Sequence, residues 1–165
     1  MKIETLENLF AEEMKDLYSA ENQMIKALPK IAKSVDSDEL RSILQEHVEQ
    51  THRHVERIEE ICRRMNISPK GKKCLGMEGL IDEGNEVLDN SANTFPLDAA
   101  MIGVAQRIEH YEIAAYGAAR AHARQMGFLN AVELLSQTLE EEKQVNQRLT
   151  DLALNQINVQ AAMSM

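Results

Sequence analysis

The chain has no tryptophan, and its three prolines and seven glycines are few for 165 residues. So few breakers leave little material for the turns of a many-stranded sheet, which excludes an all-β fold and favours long helices. Cysteine is as scarce: Cys62 and Cys74 are too few for a disulfide framework or a cysteine-built zinc site, and both are expected to stay reduced. Long apolar runs are missing too, since no stretch approaches the roughly 18 residues that a membrane span needs. The opening "MKIETLENLF" lacks the apolar core of a secretory leader, so the chain reads as cytoplasmic. Positive charge is in deficit, with 18 Lys and Arg against 27 Asp and Glu and a net charge of -9. Phosphate backbones and anionic lipid are repelled by such a surface, so neither nucleic acid nor a membrane is expected as a partner. DNA protection is disfavoured on the same ground.

What the chain has in plenty is Ala, Leu, Glu and Met, which are strong helix formers. Apolar residues at helical spacing predict long helices over 4–34, 38–65, 97–125 and 129–157, and a short one over 77–88. "SVDSDE" supplies a turn and an N-cap between the first two, and "MGFLN" turns the chain between the last two. Pro29 is expected to kink the first helix, and "NVQAAMSM" to fray. The stretch from "NISPKGKKCLG" to "NSANTFPLD" is long enough to cross a bundle. Two antiparallel helical hairpins joined by such a crossover make an all-α four-helix bundle of ferritin-like connectivity, one domain over 1–165 with a short extra helix in the crossover. That length buries a sufficient apolar core without metal or disulfides.

Each helical residue turns about 100° from the last, so every polar side chain has an angle from its helix's apolar stripe. The string "EQTH" has the Glu-x-x-His spacing of carboxylate-bridged metal sites, yet Glu49 lies about 165° from the stripe and His52 about 105°. Both are expected in water. His47 lies about 30° from the stripe, Thr51 about 10° and His54 about 50°. On the other helices Glu21 lies at about 45°, Glu109 at about 55°, Glu112 near the centre and Glu142 at about 35°. Glu141, at about 65°, stands next in line to Glu142, while His110 at about 155° and His122 at about 80° read as solvated. Reflecting each hairpin about its turn brings Glu21 level with Thr51, and Glu112 level with Glu142. The inward polar groups therefore gather near mid-bundle.

Four carboxylates in one apolar layer repel each other and cost several kcal/mol apiece, roughly, unless compensated. Two divalent ions bridged by carboxylate and capped by imidazole would compensate them, and this mixed oxygen and nitrogen donor set suits Fe, Mn or Zn. The candidate ligands are Glu21, His47, His54, Glu109, Glu112 and Glu142, with the choice between His47 and His54 left open. The alternative is a metal-free polar layer of protonated carboxylates hydrogen-bonded to His47, His54, Tyr18 or Arg107.

The stretches "DLYSAENQ", "EHVEQTHRHVERIE", "KCLGMEGLIDEGNEV", "RIEHYEIAAYG", "TLEEEK" and "LTDLAL" together resemble the YciF-like bacterial stress-response family of the ferritin-like superfamily, over almost the whole chain. The resemblance implies an all-helical, dimeric domain with a dinuclear site, iron first among the metals, induced under stress. In the superfamily each half-bundle offers one Glu and, from the partner helix, a Glu-x-x-His. Carried over, Glu21 matches the lone Glu of the first half, and Glu109 or Glu112 that of the second. His54 matches the first imidazole, with Thr51 where Glu is usual, and Glu142 opens the second motif, with Val145 where His is usual. Those two departures predict a weakened centre.

Two classes of function follow. One is a metal-binding, oxidative-stress protein that oxidises two ferrous ions or reduces peroxide. The other is a non-enzymatic dimeric scaffold or interaction protein whose polar layer sets helix register at a cost in stability. The sequence leaves open whether the protein is an enzyme.

Overall fold

The computed structural model describes residues 2–91 and 95–163. It contains α1 (Leu6–Ser34), α2 (Asp38–Arg64), α3 (Leu75–Asn90), α4 (Phe95–Gln125) and α5 (Leu129–Leu152), with no strand among the described residues. A π-helical turn over Ala153–Ile157 then leads into α6 (Asn158–Met163). The chain is all-α, as read from its composition.

Local chemistry starts each hairpin helix. Thr5 accepts the Asn8 N–H at 3.1 Å to open α1, and Ser37 accepts the Leu40 N–H at 3.2 Å to open α2. Asp98, wholly buried on α4, accepts the backbone N–H groups of Asp36 and Ser37 at 2.9 and 2.8 Å. It ties the α1–α2 turn to the second hairpin. At the opposite end α2 closes with Asn66 at φ 53°, Asn66 N–H on the Arg63 carbonyl and Ile67 N–H on that of Cys62. α4 closes the same way, with Gly127 at φ 74°, Gly127 N–H on Arg124 and Phe128 N–H on Ala123. Both are Schellman endings, and both feed their next apolar residue, Ile67 or Phe128, back onto the core.

Pro29 lies inside α1, which runs on to Ser34. Two expectations change. The tail expected to fray from Asn158 is helical to Met163, because the π turn, in which the Asn158 N–H reaches the Ala153 carbonyl, carries it back onto α4. Cys74 is not an open loop residue: it is buried, and its sulfur caps the N-terminus of α3.

α1 packs along α2 and α4 along α5, while α2 faces α5 and α1 faces α4. Across α1 and α4, His122 meets Glu13 and Tyr116 meets Glu21; across α2 and α5, Arg148 meets Glu46 and Arg57 meets Glu141. In each pair one number rises as the other falls, so these neighbours too are antiparallel. α3 lies against α4 and α1.

The core divides into two apolar clusters. One, built on Met24, Leu28, Leu44, Met101, Ile108, Val145 and Leu149, fills the end at the α1–α2 turn. The other, built on Phe10, Met14, Leu17, Ile58, Ile61, Leu135 and Leu139, fills the end at the Schellman turns. The six candidate residues lie between the two. Glu21 separates Leu17 from Met24, His47 to His54 separate Leu44 from Ile58, Glu109 and Glu112 follow Ile108, and Glu142 separates Leu139 from Val145.

Candidate metal centre

All six sequence-derived candidates meet in this layer, and each is at most 1% exposed. They form two groups of donor atoms, each group within 4.8 Å of one another: His47 with Glu109, Glu112 and Glu142, and His54 with Glu21 and Glu142. Glu142 is common to both. Its Oε2 lies 3.7 Å from His47 Nε2 and its Oε1 3.0 Å from His54 Nδ1. His47 Nε2 also approaches Glu109 Oε1 at 3.2 Å, and His54 Nδ1 approaches Glu21 Oε1 at 3.3 Å. Both imidazoles therefore point at carboxylates, with ring centroids 6.3 Å apart.

The outer nitrogen of each ring is held, which settles its proton. His47 Nδ1 lies 3.2 Å from Gln50 Oε1, which can only accept, so Nδ1 carries the hydrogen and Nε2 is free to ligate. His54 Nε2 donates to Glu141 Oε2 at 2.8 Å, which leaves Nδ1 facing inward. Glu141 is clamped by both Nη atoms of Arg57, at 2.7 and 2.9 Å, and Arg57 Nη1 also donates to the buried Thr138 at 3.0 Å. Burial opposes the Glu141 charge, yet Arg57 and His54 hold its carboxyl at about 2. Deep in the layer the Tyr116 hydroxyl donates a short hydrogen bond to Glu21 Oε1.

What the inner atoms lack, close as they lie to one another, is a well-directed hydrogen bond. Of the nine buried side-chain N and O atoms without a hydrogen bond among the described residues, eight belong to these six side chains: Glu21 Oε2, His47 Nε2, His54 Nδ1, Glu109 Oε2, and both oxygens of Glu112 and of Glu142. The layer instead leans on protons. Burial opposes a charged His47, but Glu109 and Glu142 outweigh it and raise the ring to about 10. His54 is raised well above the ordinary histidine range by Glu21, Glu141 and Glu142, again against burial. Burial, joined by Glu21, Glu142 and Glu109, drives Glu112 far above the carboxylate range, and burial with Glu109 raises Glu142 to about 8. Glu109 is lowered, His47 overcoming its burial.

The donor set fits a pair of divalent cations. Four carboxylates carry four negative charges, which two such ions would neutralise while occupying the partnerless atoms, whereas one ion would leave two charges buried.

Comparison with known proteins gives the chain, as a whole, a family. The family described as "Domain of unknown function (DUF892)" matches residues 5–162. The protein YciF of Escherichia coli strain K12 is 43% identical over 162 residues, covering 98% of this chain and 98% of its own. The chain belongs to the YciF family. The crystal structure of the E. coli stress protein YciF superposes with a TM-score of 0.90, covering 94% of this chain and 98% of that one. YcfI of Rhodopseudomonas palustris, 37% identical, superposes at 0.88 over 90% of this chain and 95% of its own. A Xanthomonas campestris protein at 17% identity shares the fold, with a TM-score of 0.73 over 92% of each chain. The fold is ferritin-like, and among the described residues no helix is long and apolar enough to cross a membrane.

Within this member of the YciF family, the residues that depart from the superfamily pattern have other work. The Thr51 hydroxyl donates to the His47 carbonyl at 2.8 Å, and Val145 packs in the first apolar cluster. α5 brings no imidazole to the layer, and both rings come from α2, His47 standing seven residues before His54. Glu49 and His52 are exposed, as their angles predict, and so is His110. His122 is only half-exposed, because it pairs with Glu13 at 2.9 Å. Tyr18 and Arg107 do not serve the layer: Tyr18 donates to Glu59 at the surface, and Arg107 is exposed. Tyr116, Gln50 and Arg57 were not anticipated. Tyr116 shares the face of Glu109 and Glu112 at i+7 and i+4, and Gln50 and Arg57 each follow an inward histidine by three residues, so the spacing held a signal.

Proposed function

We propose that this homologue of the stress protein YciF carries a carboxylate-bridged dinuclear centre, iron in its working form, and that it acts in oxidative stress. The observation that carries the reading is the set of eight partnerless donor atoms converging from four helices in one buried layer. Iron, when bound there, supplies reversible one-electron oxidation at each ion, and so the two electrons that reduce one peroxide to two waters. The chain's own part is geometric and electrostatic. Glu142, common to both donor groups, would hold one ion with His47, Glu109 and Glu112 and the other with His54 and Glu21. Gln50 and Glu141 fix the ring tautomers, Tyr116 holds Glu21, and the two apolar clusters exclude bulk water from both ends. A homodimer in the cytoplasm belongs to the same proposal, and a size-exclusion mass at monomer size would remove that part of it.

The test is the metal content of protein purified without added metal, before and after anaerobic ferrous loading, beside the Glu112→Ala, Glu142→Ala double variant. Loading toward about two ions per chain in the wild type alone is the expected result. Equal, substoichiometric metal in both proteins would leave the layer metal-free and return the chain to the scaffold reading. Peroxide consumption by the loaded protein then separates an enzyme from a storage or structural role.

A further inference from the structure

The two halves of the layer are built unequally. Resting on the dinuclear reading above, we infer that the His47 position fills first and holds its ion firmly, while the His54 position is the open, exchangeable one.

Donor count comes first. The His47 group brings one imidazole and three carboxylates, and the His54 group one imidazole and two, with Glu142 shared between them. Ligand charge sets affinity for hard divalent cations, and here one whole carboxylate separates the positions. The freedom of those donors points the same way. Around His47 five atoms have no hydrogen bond: His47 Nε2, Glu109 Oε2, both oxygens of Glu112, and Glu142 Oε2. Around His54 there are three: His54 Nδ1, Glu21 Oε2 and Glu142 Oε1. The second oxygen of Glu21 is taken by the Tyr116 hydroxyl, which an incoming ion must displace or do without.

The path to solvent also differs. The outer nitrogen of His47 meets Gln50, a neutral amide. That of His54 meets Glu141, a carboxylate whose side chain is 23% exposed and which is held by Arg57, 17% exposed. Glu141 touches both the surface and a ligand of the centre, so an ion on its way to or from His54 passes an acceptor of the right charge. A carboxylate behind His54 strengthens that ring as a ligand, which works against the inequality. Arg57 takes both oxygens of that carboxylate and draws its charge outward, so the extra carboxylate at the His47 position prevails.

Three donor residues leave an ion short of the five or six ligands it prefers, so an ion at the His54 position would take up more exogenous oxygen or nitrogen donors than one at the four-residue position.

The experiment is a titration of the metal-free, full-length protein with Mn(II), followed by equilibrium dialysis and by the Mn(II) electron paramagnetic resonance signal, so that no turnover is involved. Expected are two steps, one ion per chain and then a second at least about tenfold weaker, since ligand charge count tunes such sites over decades. His54→Ala should keep the first ion and lose the second, whereas Glu112→Gln should weaken the first at least about tenfold. Glu141→Gln, which removes no inner donor, should change the release rate of the second ion only, and it serves if an inner variant fails to fold by circular dichroism. Two ions of one affinity, loss of the first ion in His54→Ala, or equal release rates for both ions in Glu141→Gln would each overturn the inference while leaving a metal centre in place. No bound Mn(II) in the wild type would instead overturn the dinuclear reading itself.

Discussion

The two helical hairpins divide the chemistry of the buried layer between them. The first, α1 and α2, contributes both imidazoles and a single carboxylate, Glu21; the second, α4 and α5, contributes Glu109, Glu112 and Glu142 and no imidazole. Neither hairpin holds a complete donor set, and every His–Glu approach except that of His54 with Glu21 crosses the seam between them. The centre is therefore a property of the assembled bundle. Nitrogen from one half and oxygen from the other also mean that damage to either half should fail in a characteristic way.

The most severe break is removal of all nitrogen from the first hairpin. A His47→Ala, His54→Ala variant keeps every carboxylate yet should lose stoichiometric metal, an effect of about 100-fold or more in apparent affinity, measured by dialysis against Fe(II) or Mn(II). Retention of two ions by that variant would show that the second hairpin suffices alone.

Acidity sharpens the same comparison. In the metal-free layer His47 sits at about 10 and Glu142 at about 8, with His54 and Glu112 raised as well, so all four hold protons near neutrality. Loading should release about four protons for two ions, and apparent affinity should fall as the pH drops below neutral. Proton release counted in a weakly buffered titration checks this. The signs for folding run the same way for both printed groups. His47, raised from 6.5, contributes stability that is whole below pH 6.5 and is lost as the pH climbs through about 10. Glu142, raised from 4.5, contributes stability that is whole below pH 4.5 and is lost through about 8. The apoprotein should therefore melt lower as the pH rises from 4.5 toward about 10, most steeply between 6.5 and about 8 where both contributions are being lost, and the loaded protein much less so.

Metal itself should stabilise the join between hairpins by about 2.7 kcal/mol at a hundredfold excess over the dissociation constant, visible as a rise in Tm that a chelator reverses. Tyr116→Phe removes the donor that α4 offers to Glu21 on α1 and should cost about 1–3 kcal/mol of apoprotein stability, read by denaturant unfolding. The smallest effect belongs to the motif that spacing alone favours: Glu49→Ala with His52→Ala lies on the exposed face of α2 and should change stability by at most about 0.5 kcal/mol and metal content not at all. A loss of metal in that variant would undo the division between inner and outer faces of α2.

Much of this was legible before any helix was placed in space. The separation of His47 and His54 from Glu49 and His52 needs only the helical repeat and the apolar stripe of α2. The same reckoning put Glu112 and Glu142 at one level and in the core, where both lie. The partners that orient the rings were less legible. Glu141 reads on the wheel as a substitute for Glu142, yet it turns outward to hold His54 Nε2 against Arg57, because the inner place is filled by its neighbour. From the sequence Tyr18, three residues before Glu21, reads as the phenol of the layer. The structure reverses that choice because α4, not α1 itself, presents the phenol that reaches Glu21, while Tyr18 turns to Glu59.

By itself the sequence determined that the chain is helical, that its helices pair into two hairpins, and that each brings particular polar groups to its inner face at mid-length. Those are consequences of a repeat that each helix carries alone. The tertiary structure decided which atoms meet: that both histidines reach carboxylates, that Glu142 is shared, and that the two halves are unequal. Contacts of that kind depend on how far one helix slides and turns against another, which ridges and grooves of many side chains set together and no local spacing encodes.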